Sequence, residues 1–324
     1  MSNLFIELKE KLQQNRLKKI VFPEAYDERI LQAASILAKE KLLLPVLIGQ
    51  QKEITRLANT LNVDISTCKI IDPSCYLKSN KMREVFMERR DGSIHKETAN
   101  QLLKEPNYFG TMLVYMGIAD GLVSGAVYST SDTVRPALKI IKTKKGVSKA
   151  SGIFILIHND RKYFFADCAI NIAPTSKELA EIAIESAKTA KIFHVSPRIA
   201  MLSFSTKGSA CSKETERVIE AVEFVQKQYP QLKIDGELQF DTAFMPTVAA
   251  KKSTNSVIKG DANIFIFPSL EAGNIGYKMI QCLGGVESVG AIIQGLNKPV
   301  NDLSRGCSID DVYKLALITA AQAK

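Results

Sequence analysis

Residues 163–205 read YFFADCAINIAPTSKELAEIAIESAKTAKIFHVSPRIAMLSFS, and the alternation inside this stretch decides the fold class. Tyr163 to Ala166 is a short aromatic and apolar run suited to a strand, and Arg198 to Ser205 is another. Between them Thr175 and Glu178 have the spacing of a capping box, and Leu179, Ile182, Ala183, Ser186 and Ala190 fall on one helical face. Strand, helix, strand, with the strands almost continuously apolar, points to parallel sheets covered on both faces.

The same rhythm extends outward. Further strand candidates are Lys19 to Pro23, Leu44 to Gly49, Gly121 to Val127, Gly152 to Ile157, Ala262 to Pro268 and Ala291 to Gly295. A second amphipathic helix starts near Glu214 and carries Val218, Ile219, Val222 and Val225. At 324 residues the chain exceeds one ordinary core and suits two domains of roughly 100–200 residues each. The expectation is an α/β protein with two doubly wound domains and largely parallel sheets. No internal repeat, low-complexity tract or long Gly/Ser/Pro linker separates two halves.

Composition narrows the function classes. With 46% apolar and 24% charged residues the chain fills sizeable cores and lacks the marks of disorder. No apolar run approaches the ~18 residues of a membrane span. The opening MSNLFIELKEKLQQN suits an amphipathic surface helix, not a secretion signal, so the expected location is the cytoplasm. Six cysteines without a C-x-x-C pair and three histidines give zinc little support. The net charge of +9 comes from dispersed Lys and Arg. Its densest stretch, Lys139, Lys142, Lys144, Lys145 and Lys149, has no interleaved aromatics. A solvated face or an acidic small-molecule substrate explains it better than nucleic acid, which is the competing class and predicts salt-dependent duplex binding.

The common signatures are missing. There is no G-x-G-x-x-G, no Gly-Lys dipeptide and no G-x-S-x-G. Instead, Pro299-Val-Asn-Asp-Leu-Ser304-Arg305-Gly-Cys307-Ser308-Ile-Asp-Asp311 brings a hydroxyl, a guanidinium and a carboxylate to a helix start. A helix N-terminus, Ser304 and Arg305 together favour an anion. A bland reading competes, in which Ser308 and Asp311 only cap the helix. The segment Ser124 to Pro136, rich in small hydroxyl residues and ending in Arg135, has the composition of a phosphate-handling loop at a sheet edge, or of an ordinary turn. Ser203 to Ser209 and Glu271 to Lys278 read as two further polar loops at strand ends.

These stretches resemble the phosphate acetyltransferase (phosphotransacetylase) family nearly end to end. The match rests on IVFPEAYDERILQAA, ADGLVSGAVYSTSDTVRPALKIIKT, SGIFIL, FADCAIN, LAEIAIESAKTAKIF, PRIAMLSFSTKGS, KIDGELQFDTAF, ANIFIFPSLEAGNIGYK and KPVNDLSRGCSIDD. The resemblance implies an isopropylmalate dehydrogenase-like fold, with residues 1–145 plus 295–324 as a discontinuous first domain and 146–294 as the second. It implies an active site in the interdomain cleft and a homodimer. It also implies no metal or tightly bound cofactor, with coenzyme A and acetyl-CoA, acetyl phosphate and inorganic phosphate as substrates. The family's catalytic residues fall on Ser304, Arg305 and Asp311. Its substrate-binding positions fall on Arg135, Ser129, Thr130, Arg90 with Arg89 as the alternative, and Lys278. Tyr128 stands where relatives often have His.

The implied chemistry is direct transfer in a ternary complex. Asp311 takes the thiol proton, Ser304 and backbone N–H groups receive the oxyanion, and Arg305 and Arg135 hold the phosphoryl oxygens. A carboxylate beside an arginine is a weak base unless burial opposes that effect. Cys307 and Cys168 are expected to be structural. Phosphate butyryltransferase or another short-chain acyltransferase is the alternative within this class, since one methylene in a pocket changes discrimination by only ~1–3 kcal/mol.

Overall fold

The computed structural model describes residues 3–323. They divide into two compact units, 3–144 with 296–323, and Lys145–Gly295. In chain order the first unit contains α1 (Asn3–Gln13), β1 (Lys19–Phe22), α2 (Glu28–Lys39), β2 (Leu44–Ile48), α3 (Gln51–Thr60) and β3 (Lys69–Ile71). It continues with α4 (Ser79–Arg89), α5 (Lys96–Leu102), α6 (Pro106–Tyr115), β4 (Gly121–Ser124) and α7 (Thr130–Ile140). The second unit holds β5 (Ser151–His158), β6 (Arg161–Ala166), α8 (Ser176–Ile192), β7 (Arg198–Leu202), α9 (Lys213–Gln228) and β8 (Lys233–Leu238). It ends with α10 (Phe240–Phe244), α11 (Pro246–Lys252), β9 (Ile264–Ile266), α12 (Leu270–Gly284) and β10 (Glu287–Gln294). The chain then returns to the first unit as β11 (Val300–Asp302) and α13 (Ile309–Gln322).

The first unit's sheet is wholly parallel, in the order β11-β4-β1-β2-β3. Its strands are buried on both faces, as in Ile20, Val21 and Phe22 of β1, which explains their lack of apolar-polar alternation. Helix α13 is buried along Val312–Ala320 and packs against α2, β4 and α1. Successive strands run from β1 to β2 and β3 on one side, whereas β4 and β11 lie on the other. Between β1 and β4 the winding therefore reverses, which is where the chain ends of parallel strands open a crevice.

The second unit's sheet is mixed, in the order β10-β5-β6-β9-β7-β8. The β6, β9, β7 and β8 strands pair in parallel, whereas β5 runs antiparallel to both β6 and β10. The antiparallel edge of this largely parallel fold has a local reason. Asn159 and Asp160, at φ +48° and +60°, form a two-residue connection between β5 and β6. Such a turn has the twist of a hairpin and leaves no room for a crossover helix. Helix α8 starts at the expected capping box, with Thr175 accepting from the Glu178 N–H. Its expected face, Leu179 to Ala190, is buried. The segment Glu271–Lys278, read from sequence as a loop, lies within α12.

Candidate active site

Three helices of the first unit begin just beyond the carboxyl ends of three adjacent strands: α2 after β1, α7 after β4, and α13 after β11. Their positive ends gather at one sheet edge. The loops at that edge are tied together by a buried carboxylate. Glu24, 5% exposed, accepts the N–H groups of Gly125 and Ala126 at 2.9 Å each on Oε2. On Oε1 it accepts those of Val127 and Tyr128 at 2.8 Å each. Backbone N–H groups pointing into one concavity make an anion nest. Here the protein's own side chain fills it, so the phosphate-handling look of residues 124–128 reflects an internal anion. Gly125 sits at φ +113°, and a Cβ there would lie 2.5 Å from Asp302 Oδ1 and from Leu303 O. No other residue fits.

Arg29 connects this loop to the C-terminal one. Asp27 holds its guanidinium through Nε at 3.0 Å and Nη2 at 2.8 Å. Its Nη2 then donates to Ala126 O at 2.8 Å, and Nη1 to Arg305 O at 2.8 Å and Cys307 O at 2.9 Å. Burial raises the Asp27 pKa, but the hydrogen bonds and charge of Arg29 outweigh it and leave the carboxyl below its ordinary value.

The start of α7 is a capping box. Ser129 Oγ donates to Asp132 Oδ2 at 2.7 Å and accepts the Asp132 N–H at 3.3 Å. That Ser129 contact lowers the Asp132 pKa. Thr130 donates its hydroxyl to Asp302 Oδ2 at 2.6 Å. Pro136 has no N–H for Asp132 O, the acceptor one turn back, and Asn107 Nδ2 donates to that oxygen instead at 3.2 Å. Arg135, the residue before this proline, has an exposed guanidinium whose Nη2 donates to Ser131 Oγ at 2.9 Å.

Beyond β11, Leu303 donates its N–H to Ser124 O at 2.6 Å, seating the loop on β4. Ser304, Arg305 and Gly306 are exposed. Ser304 Oγ accepts the Gly306 N–H at 3.3 Å, so its own proton is available to a ligand. Ser308 and Asp311 do form the capping box: Asp311 Oδ2 accepts both the N–H and the Oγ–H of Ser308 at 2.8 Å. Both bonds fall on Oδ2, and among the described residues Oδ1 accepts none. Cys307 is buried behind this loop, and desolvation, only partly offset by Arg29, pushes its thiol up to about 11. Burial raises the Cys168 thiol well above its ordinary value. Neither is a ready nucleophile at neutral pH.

The first unit thus brings Ser304, Arg305, Asp311, Ser129, Thr130 and Arg135 to one edge. Arg89 is used elsewhere: it donates to Ile140 O at 2.6 Å and Ile141 O at 3.1 Å, and stacks on Tyr115. Arg90 ends α4 half-buried, with no such bonds among the described residues. Lys278 is exposed on α12 in the second unit. Sequence reading missed Glu24, Arg29 and Asp302. Two left a signal in the quoted stretches, a glutamate directly after Pro23 at a strand end and an arginine two positions after an N-cap aspartate; Asp302, in the three-residue Val-Asn-Asp strand β11, left none. Among the described residues no group of three or more His, Cys, Asp or Glu side chains is arranged to hold a metal ion. No helix among the described residues is long and apolar enough to cross a membrane.

The family model described as "Phosphate acetyl/butaryl transferase" matches residues 4–320. A curated protein of Bacillus subtilis named phosphate acetyltransferase is 60% identical over 100% of both chains. Among solved structures, a phosphotransacetylase from Streptococcus pyogenes has a TM-score of 0.95 at 54% identity, covering 99% of each chain. The EutD phosphotransacetylase from Staphylococcus aureus gives 0.92 at 54% identity, over 99% of this chain and 98% of its own.

Proposed function

The chain belongs to the phosphate acetyl/butaryl transferase family, and from that premise we propose how its residues carry out acyl transfer. Its activity is that of a phosphate acetyltransferase, an acyltransferase that moves an acetyl group reversibly between acetyl phosphate and coenzyme A. The observation that carries this reading is 60% identity sustained over the whole of both chains.

The chemical problem is the thiol. At a pKa of ~8.5 only a few per cent is thiolate at pH 7, so a base within reach accelerates attack. We assign that role to Asp311 Oδ1, with Oδ2 held by Ser308. As the sulfur–carbon bond forms, the carbonyl oxygen becomes an oxyanion that receives the Ser304 hydroxyl proton in a hydrogen bond. The carbon–oxygen bond to phosphate then breaks, and Arg305 and Arg135 neutralise the departing phosphate. Ser129 and Thr130 give their protons to Asp132 and Asp302, so they serve the anion site by fixing the first turn of α7 beside it and not by donating to the phosphate. Arg90 takes an anionic group of substrate, and Lys278 contacts coenzyme A. The buried, protonated thiols of Cys307 and Cys168 support direct transfer without an acetyl-enzyme.

The same reading includes a homodimer in the cytoplasm, no tightly held cofactor, and functional domains divided near residues 145 and 295. The deciding experiment supplies purified protein with acetyl phosphate and coenzyme A and follows thioester absorbance with phosphate release. Equimolar thioester and phosphate are expected, with kcat/KM higher for acetyl than for butyryl phosphate. Absence of thioester overturns the reading, and a preference for butyryl phosphate reassigns the acyl group.

A further inference from the structure

Asp302 closes β11 two residues before Ser304 and is 3% exposed. Its Oδ2 accepts the Thr130 hydroxyl at 2.6 Å, whereas among the described residues Oδ1 has no hydrogen-bond partner. The parallel register pairs Asp302 with Ser124, which puts both side chains on one face of the sheet. Thr130 brings α7 over that face. The hydroxyls of Ser124 and Thr133 are buried there and also unpartnered. Backbone room is made for the carboxylate by Gly125, since any Cβ at that position would meet Oδ1 at 2.5 Å.

A buried carboxylate with one donor is an expensive way to fill space, and an apolar side chain of the same size costs the fold less. Its geometry gives it a different use. Arg29 fastens residues 126, 305 and 307 to each other but bonds to nothing in α7. The Ser129–Asp132 bonds close on α7's own first turn. Among the described residues the side-chain hydrogen bond that joins α7 to the end of β11 is Thr130–Asp302.

We propose that Asp302 is a positioning residue for acetyl transfer: its hydrogen bond with Thr130 holds the first turn of α7, and with it Arg135, in register with the Ser304–Arg305 loop. Displacing reacting groups by about 1 Å costs up to ~10²-fold in rate, so this one bond matters to kcat without touching substrate. The inference rests on the acetyl-transfer reading, which thioester formation by the unmodified protein tests separately.

The experiment measures kcat, both KM values and the melting temperature for Asp302→Leu, Thr130→Val, the double variant and Asp302→Asn. Each of the first two lowers kcat about tenfold, with KM values within about threefold. The double variant loses no more than the worse single one, because both remove the same bond. Asp302→Leu does not melt earlier than the parent, and Asp302→Asn, whose amide oxygen still accepts from Thr130, recovers kcat to within about threefold. Single variants within about twofold of the parent, or losses that multiply in the double, overturn the proposal while leaving the activity standing. If Asp302→Leu does not fold, Thr130→Val with parental kcat overturns it alone. A parent that forms no thioester overturns the acetyl-transfer reading and this inference with it.

Discussion

Glu24 and Asp302 lie on either side of β4, one after β1 and the other ending β11, and the fold treats them oppositely. Four N–H groups converge on Glu24, so its charge is fully hydrogen-bonded where it is buried. Asp302 receives one hydroxyl, and burial, partly offset by Thr130 and Thr133, raises its pKa to about 6. The Glu24 carboxylate adds to that rise. The second unit repeats the saturated solution at Asp167, whose carboxylate accepts N–H groups from Gly152, Ala169, Ile170 and Asn171 at 2.8–3.0 Å. A carboxylate with every lone pair occupied holds the chain together. One with an oxygen left over, as in Asp302 and the half-buried Asp311, is kept at the expense of stability or is open to chemistry.

The strongest test of that division is Asp311→Asn. It is expected to cut kcat by ~10²–10⁴ with little change in melting temperature, since Asn still caps the helix. Steady-state thioester kinetics decide it, and an undiminished kcat returns Asp311 to capping alone. Glu24→Gln probes the saturated extreme. Its NH₂ would face two N–H donors in a buried site, so a loss of about 3 kcal/mol is expected in urea unfolding. A midpoint equal to the parent's would show that the nest does not need its anion.

Asp302→Asn addresses the starved extreme through pH. A carboxyl whose pKa is raised on folding stabilises the native state while protonated, below about pH 4, and that contribution disappears as pH climbs through about 6. Relative to the parent, the Asn variant should therefore gain about 2–3 kcal/mol between pH 4 and pH 8. Parallel urea curves at both pH values would erase the contrast with Glu24. The smallest effect belongs to Cys307→Ala, which removes only an Arg29 contact at 3.6 Å and a thiol pushed up to about 11. Activity within about twofold of the parent is expected. A loss resembling that of Asp311→Asn, or an acetyl adduct by mass spectrometry, would reinstate an acetyl-enzyme.

Local signals were the legible ones. The Thr175/Glu178 and Ser308/Asp311 boxes are contacts three residues apart and are written in the spacing. Strands β3 and β11, three residues each, are too short for periodicity to register. The β8 strand hid behind Asp235 and Glu237, whose charges are answered only in the fold, by Lys207 and by Ser205 and Gly208. The loops at the active edge were recognisable by composition, but which of their polar groups face a ligand was not.

Alternating apolar strands and amphipathic helices, and the residue types near the C-terminus, were enough by themselves to set the α/β class and to single out Ser304 and Arg305 as a candidate anion site beside Asp311, whose catalytic role only the family resemblance implied. Tertiary structure alone decided that Glu24 fills the nest at 125–128, that Arg29 reaches residues 276 and 278 positions away, and that Thr130 serves Asp302. Periodicity reports which face of an element avoids water. A buried hydrogen bond depends on where two distant backbones meet, and no spacing along the chain encodes that distance.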